Sequence, residues 1–478
     1  MTTTASGLHA AIAAAPPGPG TVAAFDLDGT LIDGYSASVV YRDRLRRFDL
    51  GAAELMRTTG AAMDTRLRGA DVGKLMGIAV RSLSGRLDDD LLEWGERLFR
   101  QEIAGMIYPE VRGLLAAHRR AGHRVVMATS ATPYQALSVA RDLDIDDVLC
   151  TRPEVVDGML TGRLSGPPLW GPAKADAVSS YLSEHDAVAR RAFAYSNGFE
   201  DVPMLESVGH PVALNPDRRL TQRAKTRGWS VVRLREPRRG ATVGSTIRTG
   251  IAIGALTTTV AGAAAVGLLT GDRQRAANLV GTVGPDLALA ICGIDVRVSG
   301  RQNAWRQRPA VYMFNHQSSL DLLVVGSVVQ RDVTGVAKVE ASRDPRFFPV
   351  GALLDVAYID RSDGARARAA LEPALKKLRS GISLAIAPEG TRTPTPKIAP
   401  FKKGGFHLAM QAGVPIVPIV VHNAGELMWR NSLVAHPGTV HVSVLEPVST
   451  EGWVAADLDA RVADLRARFQ AVVHDGHR

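Results

Sequence analysis

The sequence predicts an α/β protein in which two such units share one chain and are joined by a helical hairpin. Three observations predict it. The 478 residues exceed one folding unit, since roughly 100–200 residues make a domain. Strand-like apolar runs alternate with helix-like ones over residues 123–215 and again from residue 295 to the end, the pattern of a parallel sheet covered by helices. Between the two stretches lies an uncharged run at 250–270.

Taken in order, residues 1–20 lack a basic start and run into Pro and Gly, so they read as a mobile tail rather than a secretory signal. TVAAFDLDGTLID reads as a strand feeding a loop. Apolar residues at helical spacing, such as Leu91, Trp94, Leu98, Ile103 and Ile107, make about 36–110 a helical insertion. HRVVMATSA, PYQALSVARDL, DDVLC, KADAVSSYLSEH, RAFAYSN and HPVALN then alternate strand and helix. This first unit is expected to span 21–235.

Residues 236–294 form a basic linker and the hairpin. Ten basic residues stand between Asp217 and Arg248 against two acids. The run GIAIGALTTTVAGAAAVGLLT that follows is long enough, at about 1.5 Å per residue, to cross roughly 30 Å of hydrocarbon. A weaker apolar run at 277–293 carries Pro285 and Asp286 in its middle. Basic residues flank the first run on both sides, so the two arms read best as a hairpin dipping into one leaflet. The competing reading is a buried Ala/Gly-rich core helix. AVYMFN, SLAIAPEG, PIVPIVV and TVHVSVLE are the strands of the second unit, 295–478.

Composition excludes several classes. A mean hydropathy of +0.01 cannot accommodate a polytopic membrane protein. Two cysteines, Cys150 and Cys292, cannot build a disulfide framework or a thiolate zinc site, which points to a reducing cytosolic compartment. The net charge of +9 asks for an anionic partner, and nucleic acid, phosphate metabolites and anionic lipid all satisfy it. The basic stretch lacks interleaved aromatics and adjoins the apolar run, which favours lipid over nucleic acid.

In Asp26-Leu27-Asp28-Gly29-Thr30 two carboxylates stand two residues apart at the end of a strand, where open α/β sheets bind ligands. One can attack phosphorus while the other supplies a proton to the leaving oxygen. With VVMATSA, GPAKADA and AYSNGFEDVPML following in order, residues 21–235 resemble the haloacid-dehalogenase-type phosphohydrolases, in the phosphoserine-phosphatase-like branch with a helical cap. The resemblance implies a Rossmann-like fold. It implies that Asp26 accepts the phosphoryl group, Asp28 is the acid/base, Thr129 contacts phosphate and Lys174 neutralises the phosphoaspartate. Mg²⁺ would be held by Asp26, Asp28, Asn197 and Asp201. Asn197 stands where the family usually has Asp, and an amide oxygen ligates a hard cation without bringing charge.

His316 and Asp321 stand five residues apart in FNHQSSLDLL. A histidine can take a proton from a hydroxyl while a carboxylate one turn on orients its ring. With VAYIDR, PEGTR and VPIVPIVV behind it, the stretch from about 245 to 460 resembles the glycerolphosphate acyltransferases, most closely the 1-acylglycerol-3-phosphate acyltransferases. The resemblance implies that His316 is the general base on the sn-2 hydroxyl of lysophosphatidate and that Asp321 orients it. The acyl donor would be acyl-CoA or acyl-carrier protein. Arg361, Glu389, Gly390, Thr391 and Arg392 would bind the glycerol phosphate, with Lys338 as a further phosphate ligand.

Together these features lead us to expect a bifunctional fusion at the cytoplasmic face of the cell membrane, with an anionic membrane surface and no nucleic acid among its partners. The competing expectation makes the first unit a non-catalytic docking or dimerisation module, and a homodimer stays open.

Overall fold

The computed structural model describes residues 5–47, 49, 72–238, 240–338, 356–359 and 372–475. The chain divides into two compact units, Met1–Pro237 and Arg238–Arg478.

The first unit is built on a six-stranded parallel sheet. Its strands are β1 (Val22–Phe25), β2 (Arg124–Thr129), β3 (Asp147–Cys150), β6 (Phe193–Ser196), β7 (His210–Leu214) and β8 (Ser230–Val232), in the order β3-β2-β1-β6-β7-β8. The sequence between β3 and β6 supplies a separate antiparallel hairpin of β4 (Pro153–Val156) and β5 (Met159–Leu164). All four residues of β1 are fully buried, as a strand covered on both faces requires. Phe25 pairs in register with Met127 on one side and Tyr195 on the other. The carboxyl ends of β1, β2 and β6 therefore open side by side, and the loops there carry Asp26, Thr129 and Asn197.

The insertion after β1 is helical, with helices Ser36–Arg46, Val72–Arg81 and Asp88–Gln101. Trp94 Nε1 donates to Asp43 Oδ2 at 2.7 Å and ties the first of these to the third. Residues 50–71 of the expected cap lie outside the described residues. The β4–β5 hairpin was not expected. Its turn, Asp157-Gly158, has positive φ at both residues, the conformation an Asp-Gly turn favours.

The tail reading is corrected for residues 5–14. Ala5–Ala14 is a helix that buries Leu8 and Ile12 and packs on the helix Pro109–Arg120. Alanine-rich composition suits a helix, and two apolar residues four apart share one face. Burial of that face outweighs the Pro/Gly run behind it.

The second unit has a seven-stranded sheet. Its strands are β9 (Ile294–Ser299), β10 (Val311–Phe314), β11 (Val333–Lys338), β12 (Ala357–Ile359), β13 (Ser383–Ile386), β14 (Ile416–Val421) and β15 (Gly438–Val444), in the order β12-β11-β13-β10-β14-β15-β9. Pairing is parallel except between β14 and β15. β10 lies between β13 and β14, so its carboxyl end sits among several strand ends. Asn315, the next residue, exchanges two 2.8 Å hydrogen bonds with the backbone of Val421 and locks β10 to β14 where His316 begins.

The helices Val243–Thr270 and Arg273–Cys292 precede this sheet. Thr242 and Asp272 cap their starts by accepting the N–H of Ser245 and Arg275. Gly271 ends the first helix in the left-handed conformation, which glycine adopts without a Cβ penalty. The two helices pack through Val260, Ala263, Ala276 and Val280. Pro285 sits inside the second helix and rests on Gly326, where a Cβ would come within 2.9 Å of the proline ring. The first helix is long and apolar enough to cross a membrane, and only 11% of its most apolar window is buried. Ile251, Ile253, Leu268 and Leu269 are exposed on it. That exposure argues against the buried-core reading.

Candidate active sites

In the first unit the strand ends assemble a buried ion cluster. Lys174 reaches back from the start of the helix Pro172–Glu184 and places its Nζ 2.9 Å from Asp26 Oδ1 and 2.8 Å from Asp201 Oδ2. All three side chains are buried. Burial alone would lower the Lys174 ammonium, but the two carboxylates outweigh it and hold the group charged. Burial pushes the Asp26 carboxyl up, against the pull of Lys174. The Thr30 hydroxyl lies 3.2 Å from both Asp26 Oδ2 and Asn197 Oδ1. It brings the amide oxygen beside the Asp26 carboxylate. Gly29 makes this approach possible, since a Cβ there would fall 2.0 Å from Asn197 Nδ2.

Asp28 is held apart from that cluster. Ser36 donates to it twice, through its N–H at 2.7 Å and its hydroxyl at 3.2 Å. Burial raises the Asp28 carboxyl, with the two Ser36 bonds opposing. A raised carboxyl held at the mouth of the helical insertion suits a proton donor. Thr129 is buried and accepts the N–H of Ala131 at 3.0 Å, at the neighbouring strand end.

The residues fit a weakly held hard cation. Asp201 Oδ1 is buried with no hydrogen-bond partner among the described residues. Asp26 and Asn197 offer oxygens beside it, and Mg²⁺ is commonly held by one or two carboxylates while keeping several waters. Among the described residues no three His, Cys, Asp or Glu side chains gather closely enough to hold a metal. The amide at 197 accounts for part of that shortfall.

In the second unit the candidate site is built around His316. Its Nδ1 lies 2.8 Å from Asp321 Oδ2, and the same oxygen accepts the N–H of Gln317 at 2.7 Å and of Ser318 at 2.8 Å. Asp321 is wholly buried in the first turn of the helix Leu320–Val329. The carboxylate thus fixes the loop and the imidazole together. Nδ1 is committed to it, so Nε2 is the nitrogen left for substrate, on a side chain 18% exposed.

The residues of PEGTR differ in their surroundings. Glu389 is buried and turned inward: Oε1 accepts the N–H of His316 and Oε2 that of Ala399, each at 2.8 Å. Burial raises its carboxyl to about 7, opposed by those two bonds. The Glu389 carboxylate thus ties the His316 loop to the backbone of Ala399. Gly390 takes φ +73° at the turn, and Thr391 is exposed. Arg392 donates through Nη1 to Ser319 Oγ at 2.8 Å and to the carbonyl of Arg430 at 2.7 Å. Its other guanidinium nitrogens make no hydrogen bond among the described residues, so one edge of the fork is left for an anion. Lys338 ends β11, and Arg361 lies outside the described residues.

Several supporting residues escaped the sequence reading: Ser36 on Asp28, Ser196 on Asp201 at 2.7 Å, Asn315, and Thr393, whose N–H donates to the carbonyl of His316 at 2.8 Å. Each is a small polar residue next to a motif, and its partner becomes visible only in the fold.

Comparison with known proteins divides the chain the same way. Residues 23–206 match the model of the haloacid dehalogenase-like hydrolases, and residues 295–422 that of the acyltransferases. A phosphoserine phosphatase of Mycobacterium tuberculosis is 38% identical over 249 residues, covering 50% of this chain and 80% of its own. A 1-acyl-sn-glycerol-3-phosphate acyltransferase of Cocos nucifera is 32% identical over 199 residues, 41% of this chain and 64% of its own. Among solved structures, the 1-acyl-sn-glycerophosphate acyltransferase of Thermotoga maritima matches with 25% identity and a TM-score of 0.40, over 49% of this chain and 96% of its own.

Proposed function

The chain belongs to the haloacid dehalogenase-like hydrolases by its first half and carries an acyltransferase domain in its second, and from that premise we propose a bifunctional enzyme of phospholipid synthesis. Its second unit acylates the sn-2 hydroxyl of lysophosphatidate to give phosphatidate. Its first unit is a Mg²⁺-dependent phosphomonoester phosphatase.

The observation that carries the reading is the His316–Asp321 pair at 2.8 Å. Nε2 takes the proton of the acceptor hydroxyl as its oxygen attacks the thioester carbonyl of acyl-CoA or acyl-carrier protein. The tetrahedral intermediate collapses, the thiolate leaves, and the imidazolium returns the proton to it. Asp321 holds the ring and stabilises its charged form. The free edge of Arg392 takes the phosphate.

In the first unit Asp26 attacks phosphorus and the leaving alkoxide takes a proton from Asp28. Water then cleaves the aspartyl phosphate, with Asp28 as base. Lys174 offsets charge on Asp26. Mg²⁺, held by Asp26, Asn197 and Asp201, would neutralise phosphate charge. The helix Val243–Thr270 and its partner, with arginines ahead of them, would seat the enzyme on the cytoplasmic face of the membrane, where the acceptor lipid resides.

Purified protein given lysophosphatidate, an acyl-CoA and Mg²⁺ tests the whole reading by product analysis. It predicts phosphatidate, with phosphate release from a generic phosphomonoester in a parallel assay. Absence of phosphatidate with every donor, acyl-carrier protein included, would overturn the acyltransferase reading.

A further inference from the structure

The candidate cation site of the first unit has two carboxylates, Asp26 and Asp201, and one amide, Asn197. Asn197 puts a neutral amide oxygen beside Asp26, through the shared Thr30 hydroxyl. Asp201, 1% exposed, keeps its Oδ1 without a hydrogen-bond partner among the described residues. A buried acceptor of that kind asks for a cation or a cation-bound water.

Three residues past Asn197 stands Glu200, half-buried. Its carboxylate is folded back over Gly198, so that a Cβ at 198 would meet Oε1 at 2.2 Å and Oε2 at 2.7 Å. Gly198 has an ordinary extended backbone, φ −99° and ψ 142°. The backbone does not require glycine there, and the space beside Gly198 is taken by the Glu200 carboxylate. That carboxylate lies within electrostatic reach of Asp201, Lys174 and Asp217. The Tyr35 phenol feels Glu200, Asp28, Asp217 and Asp26 together, and Glu200 is the chain neighbour of Asp201.

We infer that Glu200 supplies, across a shell of cation-bound water, the negative charge that an aspartate at position 197 would bring to a divalent cation beside Asp26 and Asp201. This rests on the reading of the first unit as a Mg²⁺-dependent phosphatase. Mg²⁺ dehydrates reluctantly, so a carboxylate outside its first coordination shell can still hold it by way of bound water. The role also agrees with the lack of a three-carboxylate cluster.

The test titrates the full-length protein with Mn²⁺, a paramagnetic stand-in for Mg²⁺, and counts free Mn²⁺ by electron paramagnetic resonance, with Mg²⁺ as competitor. Glu200→Gln is expected to weaken the Mg²⁺-competed site about tenfold, the scale of one unit charge acting on a divalent ion a few ångströms away in a wet pocket. Asn197→Asp in the Glu200→Gln background is expected to restore the affinity, and that recovery also shows the double variant to be folded. Unchanged affinity in Glu200→Gln, or no recovery in the double variant, overturns the inference. A wild-type protein with no Mg²⁺-competed site overturns the Mg²⁺-dependent reading beneath it, and the inference with it.

Discussion

Glu389 accepts the backbone N–H of His316 at 2.8 Å, so the loop that carries the His316 imidazole is gripped from behind by a buried carboxylate. Burial raises that carboxyl to about 7 from its ordinary 4.5. The native state therefore binds a proton that the unfolded chain releases near 4.5. The contribution to stability is fully present below about 4.5 and is lost as pH rises toward 7, with a slope of at most about 1.4 kcal/mol per pH unit.

Denaturant unfolding of the second unit followed from pH 4.5 to 7.5 should show that decline. Glu389→Gln should flatten it. Gln offers one acceptor oxygen to two N–H donors, so the variant should also lose about 1–3 kcal/mol at pH 5. An unaltered pH profile in the variant would show that some other group sets the slope.

Lys174 joins two buried carboxylates. Lys174→Met should destabilise the first unit by about 3–5 kcal/mol, because Asp26 and Asp201 are left buried without their ion partner and must stay uncompensated or take up protons. Lys174→Met combined with Asp26→Asn and Asp201→Asn should regain much of that loss, since no uncompensated charge is then buried. Thermal unfolding of the three proteins checks both signs.

Arg392→Lys keeps the charge but gives up the planar fork. An ammonium cannot hold Ser319 and the Arg430 carbonyl while also meeting a phosphate edge-on. The expected effect is a rise in KM for lysophosphatidate of roughly ten- to hundredfold, matching about 1.5–3 kcal/mol for a charge-assisted contact. The KM for the acyl donor should move little, and steady-state kinetics with each substrate varied separates the two.

Asp26→Asn removes the carboxylate proposed to attack phosphorus. Phosphate release from a generic phosphomonoester with Mg²⁺ should fall to background, while acyl transfer by the second unit is unchanged. Equal release by variant and wild type would favour the docking-module reading of the first unit.

The motifs were legible where a few adjacent residues carry both the chemistry and its placement. Asp26 and Asp28 follow an apolar strand, and His316 and Asp321 stand only five residues apart, so local geometry is enough to read them. Alternation of apolar runs likewise gave the two parallel sheets. What stayed hidden depends on distant partners. PEGTR reads as a ligand block, yet Glu389 points inward because two backbone N–H groups, one from the far end of β10, need an acceptor there. Asp28 turns to Ser36 only once the first cap helix starts beside it. The helix Ala5–Ala14 is invisible in composition until Leu8 and Ile12 find a helix 100 residues downstream to cover. The β4–β5 hairpin carried a local signal, Asp157-Gly158, that outweighs the short length of its strands.

The central claim is that His316 is the base of an acyl transfer to lysophosphatidate. It is tested most directly by presenting the acceptor in phospholipid vesicles, with acyl-CoA or acyl-carrier protein as donor, to wild type and to His316→Ala matched for folding and vesicle binding. The account predicts phosphatidate from the wild type and a rate lower by about 10²–10⁴-fold in the variant. Phosphatidate formed by His316→Ala at the wild-type rate would contradict it.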